Sequence, residues 1–174
     1  MINLIRSGRR LRRALVGGAV AGALLLATGA PANAYNPDPV AHKSHRHTSD
    51  CPCVLPDPID RTIFEHDPGG VGLKIVFTTA GSDWPVGKIE FHPLDEKLWV
   101  YDSRNDGDSL YVTLRYYRSD GKPIRLGTFT APATSKAVDN AVFDLSIPEG
   151  TLVTIQVFDD ADLTDWIVTG EGRA

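Results

Sequence analysis

From residue 61 onward, apolar side chains recur at every second position in short runs. Residues 72–79 set Leu73, Ile75 and Phe77 against Lys74, Val76 and Thr78. Residues 86–92 set Ile89 and Phe91 against Lys88, Glu90 and His92. Similar runs occupy 61–66, 97–102, 110–118, 124–130, 141–147, 151–158 and 166–170. Period-two alternation, β-branched and aromatic enrichment, and Gly, Pro and Asp breaks between the runs predict strands. No segment sustains a 3.6-residue period. Eight or nine short strands with mostly short links predict an all-β fold, an antiparallel β-sandwich.

The turns follow from local chemistry. Asp120-Gly121 falls between two strands, where a tight hairpin needs positive φ. Pro148-Glu149-Gly150 predicts a second turn, and the polar loop 103–108 is expected to join two paired strands, 97–102 and 110–118. Parity then assigns Phe77, Phe91, Leu114, Phe143 and Ile155 to one core. On the opposite parity, Trp99, Tyr101, Tyr111, Arg115 and Tyr117 would lie side by side. Flat rings beside a guanidinium suit a sugar ring or a protein hot spot, so these five residues form the expected ligand-binding face. The same parity also suits burial beneath a second layer.

The pattern stops before residue 61. Residues 35–60 carry Pro37, Pro39, Pro52, Pro56 and Pro58 and few large apolar side chains. Such a segment buries too little surface to offset its ordering entropy and reads as a flexible arm preceding a domain at 61–174. The domain is expected to fold without it. The arm concentrates the unusual chemistry: His42, His45 and His47 lie within twelve residues of Cys51 and Cys53. Imidazole and thiolate together suit Zn(II) or copper, so these five residues are candidate metal ligands. Cys51 and Cys53 equally suit a local disulfide bent at Pro52, or a bridge to another chain.

The first 34 residues change the picture again. Arg6, Arg9, Arg10, Arg12 and Arg13 open the chain, an apolar run follows, and Ala32-Asn33-Ala34 ends it. This is the pattern of a secretory signal peptide cleaved after Ala34. The apolar run is too short for a membrane span, which needs about 20 residues. The protein is therefore expected to be secreted and extracellular, with no membrane span in the mature chain. Five of the 18 basic residues would leave with the signal, so 13 remain against 22 acidic ones, a formal charge of −9. That balance excludes the basic footprint that nucleic acid requires.

Three stretches carry a resemblance. Gly87-Lys88-Ile89-Glu90-Phe91, then Glu96-Lys97-Leu98-Trp99-Val100-Tyr101-Asp102, then Asp106-Gly107 before a strand, resemble small secreted actinobacterial β-sandwich proteins of uncharacterised function. The resemblance implies secretion and a β-sandwich. It implies no activity and no site residues.

Two acidic loops add a further candidate. Asp102, Asn105, Asp106 and Asp108, and separately Asp159, Asp160, Asp162 and Asp165, offer oxygens to Ca²⁺, although Asx-rich loops also serve turn formation. No Gly-x-Ser-x-Gly elbow or His-Glu-x-x-His pair is present, so no catalytic residue and no cofactor is expected. The sequence thus points to a non-enzymatic extracellular binding or interaction module with an unknown protein or glycan ligand. A metal-handling protein using the His/Cys arm and a small extracellular hydrolase are the alternatives.

Overall fold

The structure, a computed structural model, describes residues 34–174. Apart from Ala34, the expected signal segment lies outside the described residues. The strands are β1 (Val40–His47), β2 (Cys53–Leu55), β3 (Thr62–Phe64), β4 (Val71–Thr78), β5 (Pro85–His92), β6 (Lys97–Asp102), β7 (Tyr111–Tyr117), β8 (Pro123–Phe129), β9 (Asp139–Asp144), β10 (Leu152–Phe158) and β11 (Trp166–Arg173). All pairings are antiparallel. Every strand expected beyond residue 61 is present, with ends moved by a few residues. A single 3₁₀ turn, Leu94–Glu96, links β5 to β6.

The hydrogen-bonded order is β8-β7-β10-β11-β4-β5-β6-β9, and β1 pairs with β4 along its length. Between β11 and β4 the ladder narrows to one pair, Arg173 with Val71. The path folds there into two layers, β8-β7-β10-β11 and β1-β4-β5-β6-β9. The expected parity fills the space between them: Leu73, Ile75, Phe77, Ile89, Phe91, Leu98 and Val100 meet Val112, Leu114, Val153, Ile155 and Val157 in one core. Of the five expected core residues, Phe77, Phe91, Leu114 and Ile155 are fully buried, while Phe143 packs half-buried at edge strand β9. The layers approach closely at β11. A Cβ on Gly170 would meet Leu73 at 2.6 Å, and one on Gly172 would meet Phe91 at 2.6 Å. Those two glycines let the layers close.

The hairpins behave as the turn residues require. Gly121 has φ 78° and closes β7 to β8 through its N–H to the Arg118 carbonyl at 2.8 Å. Gly150, φ 74°, completes the turn before β10. The 103–108 loop does something different from expectation. β6 pairs with β5 and β9, whereas β7 pairs with β10 and β8, so this loop crosses from one layer to the other. A strand run of the right spacing carries no information about which layer it enters.

Residues 35–60 are not an arm outside the domain. β1 takes up the ladder along β4, from Val40 opposite Thr78 to His47 opposite Val71. Its side chains have no apolar parity, because its place is won by backbone hydrogen bonds rather than by a buried face. The chain then turns at Thr48, whose hydroxyl donates to the Asp67 carbonyl at 2.9 Å. Residues 51–64 fold back over the outer face of β4 and β5. There Phe64 is fully buried against Gly72, where a Cβ would meet the ring at 2.7 Å. The expectation of a flexible arm therefore fails on both counts, pairing and coverage.

A chain beginning at Arg61 would bare one edge of β4 and strip the cover from its outer face. It is expected to lose cooperative unfolding or to melt far below the chain beginning at Tyr35, as scanning calorimetry would record. Equal melting of the two would show that β1 and the cover are ornamental.

Candidate functional site

The outer face of β4 and β5 carries Lys74, Lys88, Glu90 and His92, the polar parity of both runs. The cover turns this face into an interior: Lys88 has 0 % relative exposure, and Lys74 and Glu90 are also buried. Buried charges need partners, and the β2–β3 connection supplies them. Asp57 Oδ1 accepts the backbone N–H groups of Ile59, Asp60 and Arg61 at 3.0, 3.1 and 3.2 Å. That frees Oδ2 to face the Lys88 ammonium at 3.1 Å and the Lys74 ammonium at 3.6 Å. Lys88 also contacts Asp60 and lies 2.6 Å from Glu90 Oε1. Lys74 donates to the Pro56 carbonyl at 2.7 Å. The Thr62 hydroxyl donates to Glu90, and His92 Nε2 sits 2.8 Å from Glu90 Oε2. The Lys88 ammonium lies 4.5 Å from the Tyr101 ring centroid.

Burial by itself would raise the Asp57 carboxyl. The N–H groups of Asp60 and Ile59 and the Lys88 ammonium outweigh it and bring the pKa down to about 2. Burial would likewise raise Glu90, yet His92, Lys88 and Thr62 hold it below the usual carboxylate range. Burial would lower Lys88, and the contacts with Asp60, Glu90 and Asp57 raise it instead. The carboxylates of Asp57, Asp60 and Glu90 converge closely enough to hold a cation, and the cation they hold is the lysine.

A second carboxylate cluster sits at the loop pole. Oxygens of Asp38, Asp159 and Asp165 lie within 4.8 Å of one another. The β10–β11 loop sets two of them. Asp160 accepts the N–H groups of Thr164 and Asp165, both at 2.8 Å, and the Asp159 N–H donates to the Asp165 carbonyl at 2.8 Å. Asp38 arrives from the stretch before β1. Asp159 has 0 % relative exposure, and neither of its carboxylate oxygens has a hydrogen-bond partner among the described residues. None of the three makes an ion pair among those residues. Burial, with Asp165, Asp38 and Asp108 adding to it, pushes the Asp159 carboxyl up to about 6. A backbone N–H at Tyr35 offsets part of this effect but stays outside hydrogen-bond geometry.

The neighbouring β6–β7 loop is acidic too. Asp102 is pushed up to about 6 by burial and by Asp106, Asp139 and Asp108, although it accepts the Arg104 N–H at 2.9 Å. The Tyr35 hydroxyl is buried without a partner, and burial followed by Asp106, Asp102, Asp108 and Asp159 raises its pKa. The pole thus gathers negative charge from three separate parts of the chain.

Of the acidic loop residues named from sequence, Asp159 and Asp165 converge. Asp160 serves its own loop instead, and Asp106 accepts the Asp108 N–H at 3.2 Å as a turn residue. Asp38 was missed because it lies in the stretch read as an arm.

The expected His/Cys metal site is not formed. Cys51 and Cys53 are bonded to each other, with Cα atoms 4.5 Å apart, so no thiolate is free. Strand alternation places His42 on one face of β1, where it meets Thr78 Oγ1 at 3.1 Å, and His45 and His47 on the other. The local bridge is the one of the three cysteine readings that the structure contains. The expected aromatic face is divided as well. Trp99 and Tyr101 lie on the outer side of the β5–β6 layer, Trp99 half-buried and Tyr101 buried. Tyr111, Arg115 and Tyr117 lie on the outer side of the opposite layer, where Tyr117 is 56 % exposed. The reason is the layer change in the 103–108 loop.

Comparison with known proteins finds no matching family model, no matching curated protein and no matching solved structure.

Removing one partner of a buried ion pair leaves the other uncompensated, at a cost of roughly 3–5 kcal/mol. Lys88→Met is expected to destabilise the protein by about that amount in urea, more than Lys97→Met at an exposed pair. Asp57 and Glu90 have folded pKa values below their unfolded ones. Their contribution is complete above the ordinary carboxylate range, near about 4, and is lost as pH falls through the Asp57 value of about 2. Acid unfolding should therefore steepen in that window, and Asp57→Asn should flatten it. An unaltered acid limb in that variant would show that the network does not hold the cover.

Proposed function

We propose that this protein is an exported, non-enzymatic binding module whose loop pole takes a hard divalent cation, with Ca²⁺ the best fit. The observation that carries the reading is the orphaned Asp159 carboxylate, fully buried and converging with two further carboxylates that no lysine, arginine or histidine neutralises among the described residues. An unpaired buried charge costs several kcal/mol. The neighbouring cluster around Lys88 illustrates how this protein meets that cost when it uses its own cation.

The donor chemistry favours calcium. Three carboxylates offer up to six oxygens, and Ca²⁺ takes six to eight at about 2.3–2.6 Å in flexible geometry. Oxygens within 4.8 Å of one another can all reach one such ion. Soft ligands are absent from the cluster, which disfavours copper and zinc. Export, expected from the first 34 residues, would deliver the chain to a compartment where a weak calcium site can fill. Occupation would tie Asp38, ahead of β1, to the β10–β11 loop and fix that end of the sandwich as a platform for a further ligand.

Protons compete with the cation. Asp159 and Asp102 have folded pKa values raised to about 6, so their cost to stability appears as pH rises through that value. Added Ca²⁺ should relieve it there. At saturation, about a hundred times Kd, the expected stabilisation is about 2.7 kcal/mol near pH 7, shrinking well below about pH 6 as Asp159 is protonated. Asp159→Asn should melt no lower than the unsubstituted protein in chelator and should lose the calcium response. A melting temperature indifferent to Ca²⁺ at neutral pH, or a response retained by Asp159→Asn, would refute the site.

A further inference from the structure

The cover leaves a groove beside it, on the side of β6. Two hollows of about 150 and 270 Å³ adjoin there and share Ile63, His92 and Trp99 in their walls. A row of rings runs along the floor. His92 and Trp99 lie 5.8 Å apart, and Trp99 and Tyr101 lie 6.1 Å apart with their planes within 13°. Carboxylates stand along the rim, and lysines hold two of them in place: Asp60 contacts Lys88, and Asp95 lies 2.8 Å from Lys97. Glu65 adds a third.

We infer that this groove binds a neutral polysaccharide chain, stacking one sugar ring on Trp99 and drawing its hydroxyls to Asp60, Glu65 and Asp95. Two alternatives fit the surface less well. An extended peptide that binds by adding to a free strand edge finds none here, since both floor strands are interior: β5 pairs with β4 and β6, and β6 with β5 and β9. An anionic ligand would meet Asp60, Glu65 and Asp95, acceptor-only groups, and with Glu90 these carboxylates outnumber the Arg61 and Lys97 cations that also line the hollows. A sugar offers what the groove takes, apolar C–H faces for the rings and O–H donors for the carboxylates, in charge-assisted hydrogen bonds. Holding the carboxylates by lysines before binding lowers the ordering cost. The groove shares no named residue with the calcium reading and does not rest on it.

Affinity electrophoresis of the mature protein tests the inference, with native gels containing hydroxyethylcellulose, xylan, mannan, glycol chitin or arabinogalactan. Retardation is expected in at least one gel and should persist in chelator. Trp99→Ala should weaken it by at least about tenfold, the scale of a buried aromatic anchor, and Trp99→Phe should keep part of it. Trp84→Ala and Trp166→Ala remove exposed indoles elsewhere and should leave it intact. Melting of each variant separates lost binding from lost fold. Mobility unchanged in all five polysaccharides would overturn the inference. So would retardation that Trp99→Ala retains, or that chelator abolishes, since the latter would move binding to the loop pole.

Discussion

The cover over the outer face of the sheet, and the groove beside it, depend on one ammonium group. Lys88 sits on a strand whose other face is core, and nothing in its own sheet can neutralise it except Glu90 two residues away. Its charge is balanced by Asp57 and Asp60, which lie 31 and 28 residues earlier in the chain. Residues 51–64 are held over the sheet by this attraction together with Phe64 packing on Gly72. β1 is held by a different means, its ladder with β4. The cover in turn creates the wall of the groove and buries Tyr101 beneath it. Such a network is costly to assemble, because each ion leaves water, and it is satisfied only when every partner is in place. That property gives the outer face one docking geometry rather than several.

The same arithmetic of charge distinguishes the two carboxylate clusters. Asp57, Asp60 and Glu90 surround a lysine, and the pKa of Asp57 falls to about 2. Asp38, Asp159 and Asp165 surround no basic side chain among the described residues, and the pKa of Asp159 rises to about 6. Opposite shifts at comparable burial set the clusters apart: one carries its own cation, and the other is the one proposed to take an external cation. The pole takes two of its carboxylates from the β10–β11 loop and the groove lies on the outer face of β5 and β6, with no residue in common, so a cation and a glycan chain would bind without competing.

Legibility in the sequence tracked the range of each interaction. Alternation at 72–79, 86–92 and 151–158 reported strands faithfully, because one face of each meets the core. Turn chemistry at Gly121 and Gly150 was readable because it is local. Layer assignment was not readable: the 103–108 loop looks like a hairpin connection, yet it crosses between layers and separates Trp99 and Tyr101 from Tyr111, Arg115 and Tyr117. β1 was invisible because its stabilisation is backbone pairing to partners 24 to 38 residues away, and a run such as His42-Lys43-Ser44-His45-Arg46-His47 carries no face. The cover over the polar parity of β4 and β5 was not readable either, because its partners Asp57 and Asp60 lie in a separate stretch of the chain. Two lysines and a glutamate on strands otherwise rich in Ile and Phe were the available signal that something charged would cover them. The β10–β11 acidic loop was legible as a candidate for calcium, but its partner Asp38 was hidden in a stretch that composition alone marks as unstructured.

The contrast between the two clusters is open to a single direct measurement. Crystals of the mature protein grown with Ca²⁺ should be examined by long-wavelength anomalous diffraction. One anomalous peak is expected among Asp38, Asp159 and Asp165, and none among Asp57, Asp60 and Glu90, where Lys88 stands. A peak beside Lys88, or none at the loop pole with calcium in excess, would contradict the account.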